Sequence, residues 1–172
     1  MLINEETSKA LDVLYNQLFN LNAVYDNAVS YMLNEWCMPN ASQIIHQNLA
    51  HVFPVMADMI SEIKDNYDVR SIRTEIPRHD EEYEDLSDMM NTLYDYCENT
   101  YKILQQSSRI AMDNNDLNVL CDLVEFTKTF NKIIGQVITL QNKAEQMPTE
   151  YDKFDRHIDK WGIVGLGGWL WL

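Results

Sequence analysis

Helix breakers are scarce in this chain: 5 glycines and 4 prolines in 172 residues, with three of the glycines in the last eight. That scarcity excludes a turn-rich all-β domain and favours long helices. Basic residues are also few, 13 against 27 acidic, for a formal net charge of −14. An acidic surface does not attract phosphate backbones, so no nucleic-acid partner is expected. No apolar run approaches the roughly 18 residues of a membrane span, so no membrane partner is expected either. The opening residues lack a basic and then an apolar stretch, so no secretory leader is read there. The three cysteines, Cys37, Cys97 and Cys121, are an odd number. Free thiols in a reducing, cytoplasmic setting are the simplest reading.

What is present is helical periodicity. From about Glu5 to Glu35, residues Leu11, Leu14, Leu18, Leu21, Tyr25, Ala28 and Met32 repeat at 3-4 spacing, with a weaker second stripe of Val13, Val24 and Tyr31. Pro39 ends this helix. Asn40 as N-cap and Gln43 as its capping-box partner then start a second helix, running to about Tyr67. Its apolar face is Ile45, Leu49, Val52, Met56, Ile60 and Ile63, and Pro54 inside it predicts a kink or a restart. A connection of about 15 residues without helical period follows. A third helix, Tyr83 to Asp113, places Leu86, Met90, Leu93, Cys97, Leu104 and Ala111 in register. After the turn Asn114-Asn115-Asp116 comes a fourth, Leu117 to Gln146, apolar over a wide arc that includes Val124 and Ile138. It is expected to be the most buried. Thr149 caps a short fifth helix carrying Tyr151, Phe154, Ile158 and Trp161, and an uncharged tail follows Lys160.

Short loops make neighbouring helices antiparallel, whereas the long connection spans up to ~50 Å and can run the length of a bundle. The expected fold is therefore all-α: a four-helix bundle, residues 1–147, with one long crossover between helices two and three. A short fifth helix and apolar tail, residues 148–172, complete it. This connectivity is that of the ferritin-like fold.

No Glu-x-x-His pair occurs, and Glu98 and Glu125 fall on outward faces, so an iron centre inside the bundle is not expected. Helix two offers His51, Asp58 and Glu62 at i, i+7 and i+11, hence on one face, about 140° from the apolar stripe. Paired carboxylates suit a hard cation, and an imidazole beside them suits iron or zinc better than calcium. A solvated polar face is the plainer reading of the same residues.

The run from His51 to Glu62 resembles helix two of the mini-ferritins, the Dps-like family named for DNA-binding proteins from starved cells. The resemblance covers about residues 5–146 and implies an iron-storage protein with ferroxidase activity. Fe²⁺ would be oxidised at an intersubunit site and sequestered inside a homo-oligomeric shell of about twelve or twenty-four copies. It implies Asp58 and Glu62 as metal ligands, with His51 beside them. The sequence departs from the family in having no histidine on helix one, where Asn27 and Tyr31 stand, and in its acidic N-terminus. His46 could substitute as a ligand; His79 and His157 are expected to be solvated. An alternative is a ferritin-like bundle that lost the metal and serves as a structural or partner-binding protein. The segment Ile163 to Gly168 is loosely similar to the docking peptides of ferritin-like encapsulin cargo. The other reading packs the whole tail at a subunit interface.

Overall fold

The computed structural model describes residues 2–167. No strand occurs among them. Helix α1 spans Glu5–Trp36, α4 Leu86–Asp113 and α5 Leu117–Gln146. The second long helix is interrupted: α2 (Pro39–Ile45), a π turn (His46–Ala50), then α3 (Val52–Asp65). A short α6 (Tyr151–His157) and a 3₁₀ turn (Ile158–Lys160) follow.

Cross-helix bonds fix the directions. Asn22 to Ala50 and Lys64 to Asp12 run α1 against α2 and α3, while Tyr25 to Leu93 and Gln17 to Thr100 run α1 against α4. Gln141 to Asn91 runs α5 against α4. Helices α3 and α4 are therefore parallel, joined by the crossover, as the loop lengths predict. The first stripe of α1, from Leu11 to Met32, is buried throughout, as are the six apolar positions assigned to helix two. Each leucine, isoleucine, valine or methionine among them contributes roughly 1.5–3 kcal/mol.

Several local expectations are corrected. Helix two is capped at Met38 with Pro39 in its first turn, and no side chain caps it. Proline fits that position because its φ is preset and its missing N–H would be unpaired there anyway. Thr149 caps nothing, since α6 begins after Glu150. The third helix starts at Leu86, where Asp85 accepts from the Asp88 N–H at 2.8 Å. Helix α5 buries one stripe only: Val124 is 47% and Ile138 38% exposed, because its neighbours all lie on one side. Val13, given to a second stripe, is 56% exposed and lines a groove of about 680 Å³ between α1 and the crossover.

The crossover lies along α1 and is held by polar side chains spaced four or seven apart. Asp12 accepts from Ile72 N–H, and Asn16 bonds Ile72 and Thr74. Asn20 bonds His79, Asn27 bonds Glu81, and Tyr31 donates to the Tyr83 carbonyl. One helix stripe thus holds the crossover through both its backbone and its side chains. Beneath it Lys64, only 1% exposed, reaches Asp12 at 2.6 Å. Arg73 lies over the Phe19 ring at 3.5 Å.

Candidate metal centre

Among the described residues, the middle of the bundle is lined by no buried carboxylate or imidazole. Tyr25, Phe53, Leu93 and Cys97 fill it. The Tyr25 hydroxyl donates to the Leu93 carbonyl at 3.1 Å and meets Cys97 Sγ at 3.0 Å, and its ring stands edge-on to Phe53 at 4.8 Å. Burial pushes the Cys97 thiol up to about 12 and the Tyr25 phenol well above its ordinary value. A thiol held protonated is a poor ligand. Glu98 and Glu125 point outward, 46% and 74% exposed.

The candidate ligands are all on the outside. His51, Asp58 and Glu62 are exposed on one face of helix two. Since α3 is regular from Val52 to Asp65, His51 stands roughly 10 Å along the axis from Asp58, while Asp58 and Glu62 are one turn apart. One chain therefore does not bring the imidazole and the carboxylate pair to the same ion. Among the described residues, no three His, Cys, Asp or Glu side chains come together as a metal-holding group. Glu62 lines a cleft of about 280 Å³ with Asp122 and Glu125 of α5.

His51 is instead joined by His46. Their ring centroids are 4.2 Å apart, and His46 Nε2 lies 3.5 Å from Asp26 Oδ1 on α1. The cause is Pro54. Without an N–H it cannot bond the carbonyl four residues back, and its ring crowds that carbonyl. The helix loosens there into the π turn, closed by the i+5 bond from His51 N–H to the His46 carbonyl at 3.1 Å. Asn22 of α1 fills the gap, donating to the Ala50 carbonyl at 2.9 Å. Residues five apart, which an ordinary helix would separate by about 140°, then lie one above the other. Asp26 and His46 are the residues the sequence reading did not place in a site with His51. The signal was Pro54 with histidines on either side of the turn it causes.

His79 is not solvated. Its side chain is 8% exposed, with Nδ1 2.9 Å from Glu81 Oε1 and Nε2 2.6 Å from Asn20 Oδ1. Burial pushes the Glu81 carboxyl up, but the hydrogen bonds from His79, its own backbone and Tyr96, with the attraction of His79, leave it lowered. His157 is half-buried beside the 3₁₀ turn.

The described part of the tail docks on its own chain. Gln136 of α5 donates to the Gly165 carbonyl at 2.7 Å and accepts from the N–H groups of Val164 and Gly165 at 2.9 and 2.8 Å. Asn48, within the π turn, donates to the Ile163 carbonyl at 2.8 Å. Ile163 and Leu166 are buried. Both readings of the tail, the subunit interface over Ile163 to Leu172 and the docking peptide over Ile163 to Gly168, begin in this docked segment, and their residues 168–172 lie outside the described part.

Structural comparison finds ferritins. A humanized archaeal ferritin matches with TM-score 0.82 at 16% identity, covering 92% of this chain and 94% of that one. An open-pore ferritin from the hyperthermophilic archaeon Archaeoglobus fulgidus matches with TM-score 0.84 at 12% identity, covering 92% and 97%. A closed form of the Archaeoglobus fulgidus ferritin, engineered by site-directed mutagenesis, matches with TM-score 0.82 at 13% identity, covering 94% and 96%. The chain thus has the ferritin-like four-helix fold. No family profile and no curated protein matches it by sequence. No helix among the described residues is long and apolar enough to cross a membrane.

Proposed function

We propose that this chain is a ferritin-like subunit that self-associates and takes up Fe²⁺ at sites shared between two copies. One copy supplies Asp58 and Glu62; the other supplies His51 with His46 and Asp26. The observation that carries the reading is the separation of the two halves. Imidazoles and carboxylates lie on one exposed face of one helix, too far apart for one ion. A twofold axis crossing the exposed face at the level of Val55 would lay that helix antiparallel to its mate and bring each half to the other's complement.

The donor set fits iron as substrate. Two imidazoles and several carboxylates are borderline-to-hard ligands of the kind Fe²⁺ accepts. Hard carboxylate oxygens favour ferric over ferrous iron, so electrons pass outward to peroxide or dioxygen and Fe³⁺ stays bound. An acidic surface, with net charge −14, concentrates cations around such sites. Storage in a shell of about twelve or twenty-four copies, of the mini-ferritin kind, belongs to the same proposal. So does a cytoplasmic setting. Residues 1–147 serve as the bundle and 148–172 as an accessory unit.

The test is Fe²⁺ binding and oxidation by purified oligomer against Asp58→Ala/Glu62→Ala. The reading requires loss of both in the variant; equal turnover in both proteins removes these carboxylates from the account. The apolar centre around Tyr25, Phe53 and Cys97 favours a second reading, a non-catalytic bundle acting through its surfaces. A metal-free monomer or dimer that stays metal-free in Fe²⁺ would support it.

A further inference from the structure

We propose that the docked segment Ile163–Gly167 positions the His46–His51 pair, so that tail docking and metal binding at that pair stabilise each other. This rests on the reading above, in which the pair binds a metal.

The contact is between two backbones. Gly165 lies so close to the π turn that a Cβ placed on it would stand 2.3 Å from the Asn48 carbonyl oxygen and 3.1 Å from a Val52 methyl. Its φ of +60° is a second demand for glycine. Asn48 is the middle residue of the turn whose ends carry the two histidines, and its side chain is tied to the Ile163 carbonyl. On the far side Gln136 holds the same tail backbone by three hydrogen bonds, so the tail is wedged between α5 and the turn. Val164, Leu166 and Gly167 wall a cavity of about 390 Å³ whose opposite side includes His51 and Val52.

A π turn is a rare local state, held only when its surroundings favour it over a regular helix. Here two props are visible: Asn22 on the α1 side and the tail on the other. Pro54 keeps the ladder broken in any case, so removing the tail would free the turn to sample other loosened forms, in which residues five apart need not stay stacked. The histidines would then separate. By reciprocity, an ion bridging them would hold the turn in the form that fits the tail.

The test uses assembled full-length protein with Co²⁺ as probe, read by its visible absorption. Gly165→Ala expels the tail from inside, and Gln136→Ala releases it from a distance without touching the π turn. Both variants are expected to weaken Co²⁺ binding about tenfold, the range seen when outer-shell supports of a metal site are lost. In wild type, Co²⁺ should slow amide exchange at Val164 and Gly165, an effect that His46→Ala/His51→Ala should abolish. A purely structural tail would not give that response. If wild type binds Co²⁺ but both variants bind it equally, with exchange at Val164 and Gly165 indifferent to the ion, the positioning role is wrong and the metal reading stands. If wild type binds no Co²⁺, the metal reading fails and this inference falls with it.

Discussion

Asn22 on α1 donates to the carbonyl of Ala50 at 2.9 Å, the carbonyl that Pro54 leaves without its helical donor. The bond is the point at which one proline's missing N–H is made good by another helix. Asn22→Ala would leave that carbonyl short of a partner in a part-buried place, at a cost of about 1–3 kcal/mol. Urea unfolding should show the loss as a lower midpoint with unchanged slope.

Pro54→Ala restores the N–H and removes the ring. The expected outcome is a regular helix through residues 46–50, loss of the His46–His51 ring contact, and unchanged or higher thermal stability. NMR chemical shifts of the two imidazoles would report it. Shifts like those of wild type would mean that Asn22 and the tail, not Pro54, impose the turn.

Glu81 sets an acid limit on the crossover. Its carboxyl is lowered in the folded chain, so the stability it contributes is present above its unfolded value, near 4.3. That stability is lost as pH falls through the lower, folded value. Glu81→Gln should therefore flatten the fall of melting temperature between about pH 5 and pH 3 relative to wild type. An unchanged acid limb would assign the effect to other carboxylates.

The thiols should divide two to one. Cys37 and Cys121 are exposed, whereas Cys97 is buried with its thiol pushed up to about 12. A thiol reagent at neutral pH should titrate two groups in the native protein and the third only on unfolding.

Lys64, almost fully buried, and Asp12, partly buried, form an ion pair that ties helix two to α1. Lys64→Ala leaves the carboxylate under the crossover uncompensated and should cost about 3 kcal/mol in chemical unfolding. Asp12→Ala should cost as much or more, since it also frees the Ile72 N–H.

The sequence carried the bundle well because burial repeats at helical spacing. The Leu11-to-Met32 stripe needed nothing but that period. The polar stripe Asp12, Asn16, Asn20, Asn27 repeats just as regularly, yet polar spacing alone reads as solvent, and only the crossover's path reveals its use. His79 was misplaced for the same reason: a loop residue's burial depends on what the loop lies against. The overestimate of α5 came from counting apolar residues without knowing that its neighbours cover one side. His46 was a candidate ligand, but its pairing with His51 and Asp26 escaped because a regular helix keeps residues 46 and 51 apart, and Pro54 announced a break without saying which kind.

The most direct test of the shared site is subunit mixing. Asp58→Ala/Glu62→Ala keeps the histidine half, and His46→Ala/His51→Ala keeps the carboxylate half. Each alone should bind no Fe²⁺ at the shared site. Co-assembled in equal amounts, random pairing leaves one intact site in every mixed pair, so binding should return to about a quarter of wild type. A mixture that binds no more than its two components, while wild type binds iron, would contradict a site built from two copies.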